Sequence, residues 1–224
     1  LAAENKAYEL LSSLVSPSDS QSKREANVAY ARIARVKSRL GDKKGALEIE
    51  QRALLIDEEM LRSDPSNVLA RRDVYIDYFK IGQLHAALSD TRAGIVSLQK
   101  AVELCEVEIK LNPLSSEMRG DLVAFYYYLG ETYEKARDDQ NALRSYARVL
   151  EIQTGLAAED PSNALQQGNL SEIFTKVGDM NLKSGKRKEA LDDYNRSLAI
   201  REDLVSRNPA NADGRIQLAV LYRS

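Results

Sequence analysis

Only a few side chains in this sequence are of types that could do chemistry. His85 is the one histidine and Cys105 the one cysteine, so neither has a second imidazole or thiol with which to hold a metal ion or form an internal disulfide. Acidic pairs such as Asp138-Asp139 and Asp192-Asp193 also occur. We interpret His85 and Cys105 as packed core residues, and the acidic pairs as capping or solvated side chains rather than a general acid and base.

The glycine-containing segments do not match a phosphate-binding loop. The segment from Gly41 to Gly45 is followed by Ala46, where a P-loop has Lys and then Ser or Thr. Gly185-Lys186 lacks both the earlier glycine and the hydroxyl residue. The sequence therefore predicts no catalytic, cofactor-binding or metal site in this chain, and a linked catalytic domain in a longer protein is left open.

The composition indicates helices and gives no preference for nucleic acid. The 224 residues carry 32 Lys and Arg against 34 Asp and Glu, with no Trp and 5 Pro. A nucleic-acid surface would require an excess of clustered basic side chains. No apolar run approaches the length needed to span a bilayer. We therefore expect an all-α chain with neither a nucleic-acid partner nor a membrane-inserted segment.

The prolines recur at a fixed interval of 48 residues. They stand at Pro17, Pro65, Pro113, Pro161 and Pro209. Each follows a Ser, Asp or Asn, which are side chains that cap helix N-termini, and proline suits the first helical position. We therefore predict that the residue before each proline is an N-cap, and that one helix ends and the next begins at each corner.

Each interval contains two amphipathic helices, which we call A and B. In the third interval, helix A has the apolar stripe Leu122, Tyr126, Leu129 and Tyr133, at the spacing of one helix face. A break near the middle of the interval precedes helix B, and Asp42, Asp90 and Asp138 are placed there to cap it. Neither helix can bury its stripe alone, so successive hairpins must stack and share a core.

This pattern predicts a single array over residues 1–224. Full repeats are expected at 17–64, 65–112, 113–160 and 161–208, with partial repeats at 1–16 and 209–224. The predicted helices are 1–15, 18–40, 43–63, 66–88, 91–111, 114–136, 139–159, 162–184, 187–207 and 210–223.

Three glycines lie inside predicted A helices, where each costs about 1 kcal/mol relative to alanine. Close approach of helix B would explain them. The pairs expected to touch are Gly82 with Leu98, Gly130 with Tyr146, and Gly178 with Tyr194. The first repeat has Ala34 and Glu50 at these two positions, and we expect looser packing there.

These residues resemble the tetratricopeptide repeat (TPR) family. Tyr126, Leu129-Gly130, Tyr133, Ala142 and Tyr146 match its pattern of aromatic, Leu-Gly, Tyr, then Ala and a second aromatic. The fourth interval repeats the pattern, but the period is 48 rather than 34, with the additional residues flanking the proline corner. The resemblance implies an all-α fold, a right-handed α-solenoid of antiparallel helix-turn-helix repeats. A weaker resemblance is to the TPR arrays attached to bacterial serine/threonine kinases.

The resemblance implies a non-catalytic protein-interaction scaffold that binds a partner protein or peptide on a concave surface lined by the A helices. The alternative is a regulatory or sensory region of a larger signalling enzyme, such as a bacterial serine/threonine kinase. The carboxylate clamp of chaperone-binding members does not carry over, because its positions are occupied here by unlike residues. The cytoplasm is favoured, and an extracytoplasmic location is left open for a chain attached to a membrane-anchored kinase.

The candidate binding residues are those opposite the A-helix stripe. We expect a partner segment to place carboxylates near Arg32, Arg35 and Arg39 and an apolar side chain on the aromatic residues of later repeats. The candidate set is Arg32, Arg35, Arg39, Ile76, Phe79, Lys80, Tyr127, Tyr128, Glu131 and Lys176. Neighbouring positions on the same face are Ala124, Glu172, Thr175 and Asp179. A solvated basic face and tyrosines that merely cover adjacent helices remain the alternative interpretation.

The last predicted helix carries Ile216, Leu218, Val220 and Leu221 with no following helix B to cover them. Exposed apolar ends of repeat arrays tend to associate. We therefore expect weak self-association through the ends of the array.

Overall fold

The described part of the chain, residues 20–222 of a computed structural model, consists of nine α-helices and contains no strand. The helices are α1 (Ser20–Arg39), α2 (Lys43–Ser63), α3 (Val68–Ala87), α4 (Thr91–Leu111), α5 (Ser116–Lys135), α6 (Asp139–Glu159), α7 (Ala164–Lys183), α8 (Arg187–Arg207) and α9 (Ala212–Leu221). The all-α prediction is confirmed. The helix predicted at 1–15 lies outside the described residues.

The B helices have the predicted bounds, whereas the A helices that follow a proline corner begin two residues later than predicted. The B helices α2, α4, α6 and α8 span the predicted residues. The A helices α3, α5, α7 and α9 begin at 68, 116, 164 and 212. The difference at each corner has a single cause, which is the role of the residue before proline.

At Asp64, Asn112, Asp160 and Asn208 the prediction that this residue is an N-cap is wrong, and Ser16 lies outside the described residues. Asp64 and Asp160 are instead the C-caps of α2 and α6. The Asp64 side chain accepts hydrogen bonds from the backbone N–H of Ser66 at 3.1 Å and from its hydroxyl at 2.6 Å. The Asn67 N–H donates to the Asp64 carbonyl at 3.1 Å, which closes a β-turn with Pro65 at its second position.

The N-caps of the helices that follow Pro65, Pro113, Pro161 and Pro209 lie two residues after the proline. They are Asn67, Ser115, Asn163 and Asn211. In the first of these, Asn67 Oδ1 accepts from the backbone N–H of Ala70 at 3.1 Å. The corner Asp-Pro-Ser-Asn therefore uses its aspartate for the turn and its asparagine for the helix start.

The caps predicted for three B helices are confirmed. Asp42, Asp90 and Asp138 each accept a hydrogen bond from the backbone N–H three residues later. Lys186 occupies the same position before α8 and makes no capping hydrogen bond. Each of the four tight A-to-B turns contains one residue with positive φ, which reverses the chain direction. These residues are Gly41, Ser89, Arg137 and Gly185.

The chain divides between Pro113 and Leu114 into two compact units. The first contains α1 to α4 and the second α5 to α9. Within each unit every helix packs on its neighbours in sequence. In the first unit, Tyr30 and Ala34 of α1 share a buried cluster with Ala46 and Ile49 of α2 and Leu84 of α3, so the core extends across two hairpins as the repeat pattern predicts.

The expected contacts of the A-helix glycines are confirmed. A Cβ atom at Gly82 would lie 2.6 Å from Leu98 Cγ, and one at Gly130 would lie 2.6 Å from Tyr146 Cε1. The equivalent distance from Gly178 to Tyr194 Cε1 is 2.8 Å. These distances are too short for a side chain, so glycine is what allows the A and B helices to approach.

Candidate functional site

The A helices of the second unit border two adjoining grooves. The first groove has a volume of about 280 Å³, and its lining includes Ala124, Tyr127 and Tyr128 of α5 and Glu172 and Ile173 of α7. The second has a volume of about 430 Å³, and its lining includes Tyr127, Glu172, Lys176, Arg201 of α8 and Ile216 of α9. Tyr127 and Glu172 line both grooves.

These grooves contain most of the positions that the helix periodicity selected on α5 and α7. The predicted binding residues Tyr127 and Tyr128 line the first groove, and Lys176 lines the second. Glu131 lies one turn further along α5, half-buried and close enough to raise the pKa of Tyr127. The spacing of side chains along single helices was sufficient to find this surface.

An aromatic cluster forms the centre of the two grooves. The Tyr127 ring meets the Tyr128 ring edge-on, with centroids 6.4 Å apart, and the buried Tyr146 ring at 5.7 Å. Tyr128 is 41% exposed, whereas Tyr146 is fully covered. Tyr127 therefore covers a neighbouring helix and also borders the open grooves, so the two interpretations of the tyrosines are compatible.

Negative charge surrounds this cluster. Burial, together with the carboxylates of Glu131, Glu172 and Glu134, raises the pKa of Tyr127 to about 12. Lys176 neutralises one of the three, because its Nζ lies 3.0 Å from Glu134 Oε2 and 5.2 Å from the centre of the Tyr146 ring. The predicted site residue Lys176 is therefore already held by its own unit.

Arg201 lines the second groove, but helix periodicity did not select it as a candidate binding residue. Its Nε donates to the Ser171 hydroxyl at 2.8 Å, and its other nitrogens donate to the Gly168 carbonyl and to Gln217. Burial lowers its pKa, with Glu172 opposing that shift. The only sequence signal is its repeat position, which is occupied by Gln153 one period earlier.

The predicted residues of the first unit lie on α1 and α3. Arg32, Arg35 and Arg39 are all exposed on α1, and Arg39 lies in its last turn, where a cation interacts favourably with the helix dipole. Ile76 and Phe79 are half-buried on α3.

Lys80, the remaining predicted residue, is turned towards the interior of the first unit. Its Nζ lies 3.0 Å from Asp77 Oδ1 and 3.5 Å from Glu50 Oε2. Glu50 and Ala34, where looser packing was expected, are both buried. Lys80 thus compensates a buried carboxylate within its own unit.

Lys80 belongs to a buried acidic cluster that sequence reasoning missed. Glu50 and Asp57 of α2 and Asp77 of α3 are at most 4% exposed, and Asn27 of α1 donates to Asp57. Burial raises the pKa of Glu50 to about 7, with Lys80 opposing. Burial and the facing Asp77 raise the pKa of Asp57, and burial raises that of Asp77. A proton retained on Asp57 would bridge the two carboxyl groups.

The surroundings of Cys105 and His85, the residues considered for catalysis, indicate structural roles. Cys105 is buried, as predicted, and His85 is half-buried with Nδ1 3.4 Å from Asp90 Oδ2. Among residues 20–222, no group of three or more His, Cys, Asp or Glu side chains is placed to hold a metal ion. In the same part of the chain, no helix is both long and apolar enough to cross a membrane.

Comparison with solved structures shows a TPR-like fold. The chain is similar to BtubC (BKLC) from P. vanneervenii, with 17% identity and a TM-score of 0.67 over 99% of this chain and 81% of that one. It is similar to a putative kinesin light chain of Podosopora anserina with nearly identical TPR-like repeats, with 19% identity and a TM-score of 0.60 over 90% and 87% of the two chains. It is also similar to the apo form of RapI, with 12% identity and a TM-score of 0.62 over 95% and 72%.

No protein-family model and no curated protein sequence matches the chain. These three solved structures are each less than one-fifth identical to the chain, so they show the fold alone. The described helices therefore form TPR-like repeats, as the sequence pattern indicated.

Proposed function

We propose that this chain is a non-catalytic protein-interaction scaffold whose second unit binds an extended segment of a partner protein along its A helices. The observation that carries the proposal is the pair of adjoining grooves that share Tyr127 and Glu172. Aromatic side chains beside an open apolar groove supply large contact area at low entropic cost. A TPR-like fold is consistent with this role.

The first unit contributes a second surface to the proposal. Exposed Arg32 and Arg35 project from α1, and the half-buried Phe79 lies on α3. Arginine pairs well with carboxylates through its planar fork of donors, so an acidic segment of the partner is the proposed occupant there. Lys80 and Lys176 are paired within their own units and are not assigned this role.

Selection from a randomised peptide library displayed on phage tests the groove. Peptides selected on the native chain should lose most of their affinity for the Tyr128→Ala variant, because Tyr128 is an exposed aromatic in the lining. Tyr222→Ala removes another exposed tyrosine, one that lines neither groove, and it should leave binding unchanged. Selected peptides that bind all three proteins equally would contradict the proposal.

A parallel test addresses the first unit. Arg35→Ala should weaken only those selected peptides that contain Asp or Glu, while the melting temperature stays nearly unchanged because Arg35 is exposed. Arg62→Ala, an exposed arginine near the end of α2, is the matched control. Equal effects of the two variants would show that the α1 arginines act only as a solvated face.

A further inference from the structure

Two carboxylates beside Tyr127 have no cation partner. Glu131 is half-buried on α5 and Glu172 is exposed on α7. Their charges both act on the Tyr127 hydroxyl, together with that of Glu134. Glu134 is paired with Lys176 at 3.0 Å, but neither Glu131 nor Glu172 has an ion pair within 4.0 Å among the described residues. Glu172, which lines both grooves, and the neighbouring Glu131 therefore lack an ion-pair partner, and the Arg201 guanidinium acts on Glu172 only from beyond 4.0 Å.

The cations of the grooves are already held elsewhere. Lys176 is held between Glu134 and the face of the Tyr146 ring. Arg201 uses Nε on the Ser171 hydroxyl and its terminal nitrogens on Gly168 and Gln217. Moving either cation to Glu172 would break these bonds and leave a partly buried acceptor or carboxylate without its donor. A cation supplied from outside meets no such cost.

The surfaces on either side of these charges are apolar. In the first groove, Val123, Ala124 and Ile173 lie beside Tyr128. In the second groove, Ile216 and Val220 of α9 are 62% and 61% exposed. A ligand that fills the grooves must therefore place apolar groups on both sides of a central charged point.

We propose, on the basis of the binding function above, that the second unit selects a partner-protein segment in which a Lys or Arg is flanked by apolar side chains. The cation lies between Glu131 and Glu172 beside the Tyr127 ring, where carboxylates and an aromatic face both stabilise it. The flanking apolar side chains occupy the two grooves. Charge complementarity thus distinguishes this surface from the arginine-bearing α1 helix, which favours acidic segments.

The peptide selection described above gives the first readout. Sequences that bind the native chain and lose binding to Tyr128→Ala are the groove-dependent set. We expect this set to be enriched in Lys or Arg with an apolar residue on each side. A groove-dependent set that is acidic or uncharged would overturn this inference and leave the proposed function intact. An empty set would overturn both.

The second readout is the affinity of one selected Lys-containing peptide, measured by fluorescence anisotropy. The double variant Glu131→Gln/Glu172→Gln should bind it about tenfold or more weakly, because two charge-assisted contacts are lost. Asp192→Asn removes a carboxylate from an exposed position on α8 that lines neither groove, and it should bind normally. Equal affinity of the double variant and the native chain would refute the inference.

Exchanging the charges of Glu172 and the peptide Lys distinguishes a direct ion pair between them from a general electrostatic attraction of the surface. Glu172→Lys should abolish binding of the Lys-containing peptide, and replacing the peptide Lys by Glu should restore it to within about tenfold of the native pair. Glu172 is exposed, so the variant should fold. Failure of the exchanged pair to bind, with the double variant also unaffected, would exclude a direct contact with Glu172.

Discussion

The first unit buries three carboxyl groups, those of Glu50, Asp57 and Asp77, beside one lysine. Asp57 and Asp77 face each other, with Asn27 of α1, Glu50 of α2 and Lys80 of α3 around them. Asp73, Arg24 and Arg35 act on the cluster from further out. One lysine cannot neutralise three buried carboxyl groups, so the folded unit retains protons that the unfolded chain releases.

Because the folded unit retains these protons, the direction in which its free energy of unfolding changes with pH can be derived. The pKa values of Glu50, Asp57 and Asp77 are all raised in the folded unit, that of Glu50 to about 7. The folded state therefore binds more protons than the unfolded state above the ordinary carboxyl pKa near 4. Stability contributed by these protons is fully present below that pH and is lost as the pH rises through 7. The raised pKa of Lys80 acts only at much higher pH.

We predict that Asp57→Asn stabilises the first unit at pH 8 and does so much less at pH 5, because most of the proton-linked stability is lost between these two pH values. The amide removes one buried charge and can still bond to Asn27 and Asp77, so the gain should be roughly 2 kcal/mol or more. Urea unfolding of the native and variant chains at both pH values measures it. Glu48→Gln, an exposed change on α2, should show no such difference. An equal effect of Asp57→Asn at the two pH values would refute the raised pKa.

The A-helix glycines give a second prediction about single side chains. Gly130→Ala places a Cβ 2.6 Å from Tyr146 Cε1, and the Tyr146 ring that would have to shift is fully buried. We expect a loss of roughly 1–3 kcal/mol in the free energy of unfolding. Gly155→Ala in α6 meets nothing within 4 Å, so it should instead stabilise by up to about 1 kcal/mol. Thermal melts of the two variants should shift in opposite directions, and a shift in the same direction would contradict the packing argument.

The helices could be placed from the sequence because each boundary depends on a few adjacent residues. The bounds of α2, α4 and α6 follow from local caps and from the apolar stripe, and those of α8 follow from its stripe and the repeat interval. The starts of α3 and α7 were two residues off because Asp and Asn are both good caps, and only the backbone shows which one is used. In the structure the aspartate bonds to Ser66 or Ser162 in the turn, and the asparagine caps the helix.

Helix α8 lacks a capping side chain at its N-terminus, and supplying one should stabilise it. Lys186 stands where Asp42, Asp90 and Asp138 cap the other B helices, and it puts a positive charge at the positive end of the helix dipole. Lys186→Asp should accept a hydrogen bond from the Glu189 N–H and stabilise the second unit by about 1 kcal/mol.

The control for the cap is Lys186→Ala, which removes the cation without supplying an acceptor. It should recover only a few tenths of a kcal/mol, because it relieves the dipole repulsion alone. Calorimetric melts of both variants give the comparison. Equal gains for the two substitutions would show that charge, and not the cap, limits α8.

The groove was predictable from helix periodicity, but its charge balance was not. Tyr127, Tyr128 and Lys176 were found because residues on one helix face share a fixed spacing. That Lys80 and Lys176 turn to Glu50 and Glu134 depends on side chains of other helices, which no single-helix pattern contains. Arg201 was missed for the same reason, since its partners lie on α7 and α9.

Equivalent positions in successive repeats are occupied by side chains of different chemical type. The buried helix B position is Asp57, Cys105 and Gln153 in the first three repeats, and the half-buried Arg201 occupies it in the fourth. Asp57 belongs to an acidic cluster, Gln153 donates to Gln166 of the following helix, and Arg201 donates to Ser171. Close backbone packing between sequential helices permits this variation, because most contacts involve only two neighbouring helices and can be optimised separately.

Sequential packing also predicts that a destabilising substitution affects mainly the two helices whose contact it weakens. In the second unit close backbone packing joins each helix from α5 to α9 to the helices next to it in sequence, and the Lys176–Glu134 ion pair adds a side-chain contact between α5 and α7. Gly178→Ala, whose Cβ would lie 2.8 Å from Tyr194 Cε1, weakens the contact between α7 and α8. Amide exchange followed by mass spectrometry should therefore accelerate most in α7 and α8, less in α6 and α9, and least in α5.

The matched control lies in the same helix. Gly168→Ala on α7 would bring a Cβ no nearer than 4.0 Å to Arg201, so it should leave exchange unchanged or slow it slightly. A uniform acceleration from α5 to α9 in Gly178→Ala would show that the unit opens as one cooperative block. The graded pattern is expected because each helix is stabilised by its immediate neighbours, and a weakened contact lowers the opening free energy chiefly of the two helices that share it.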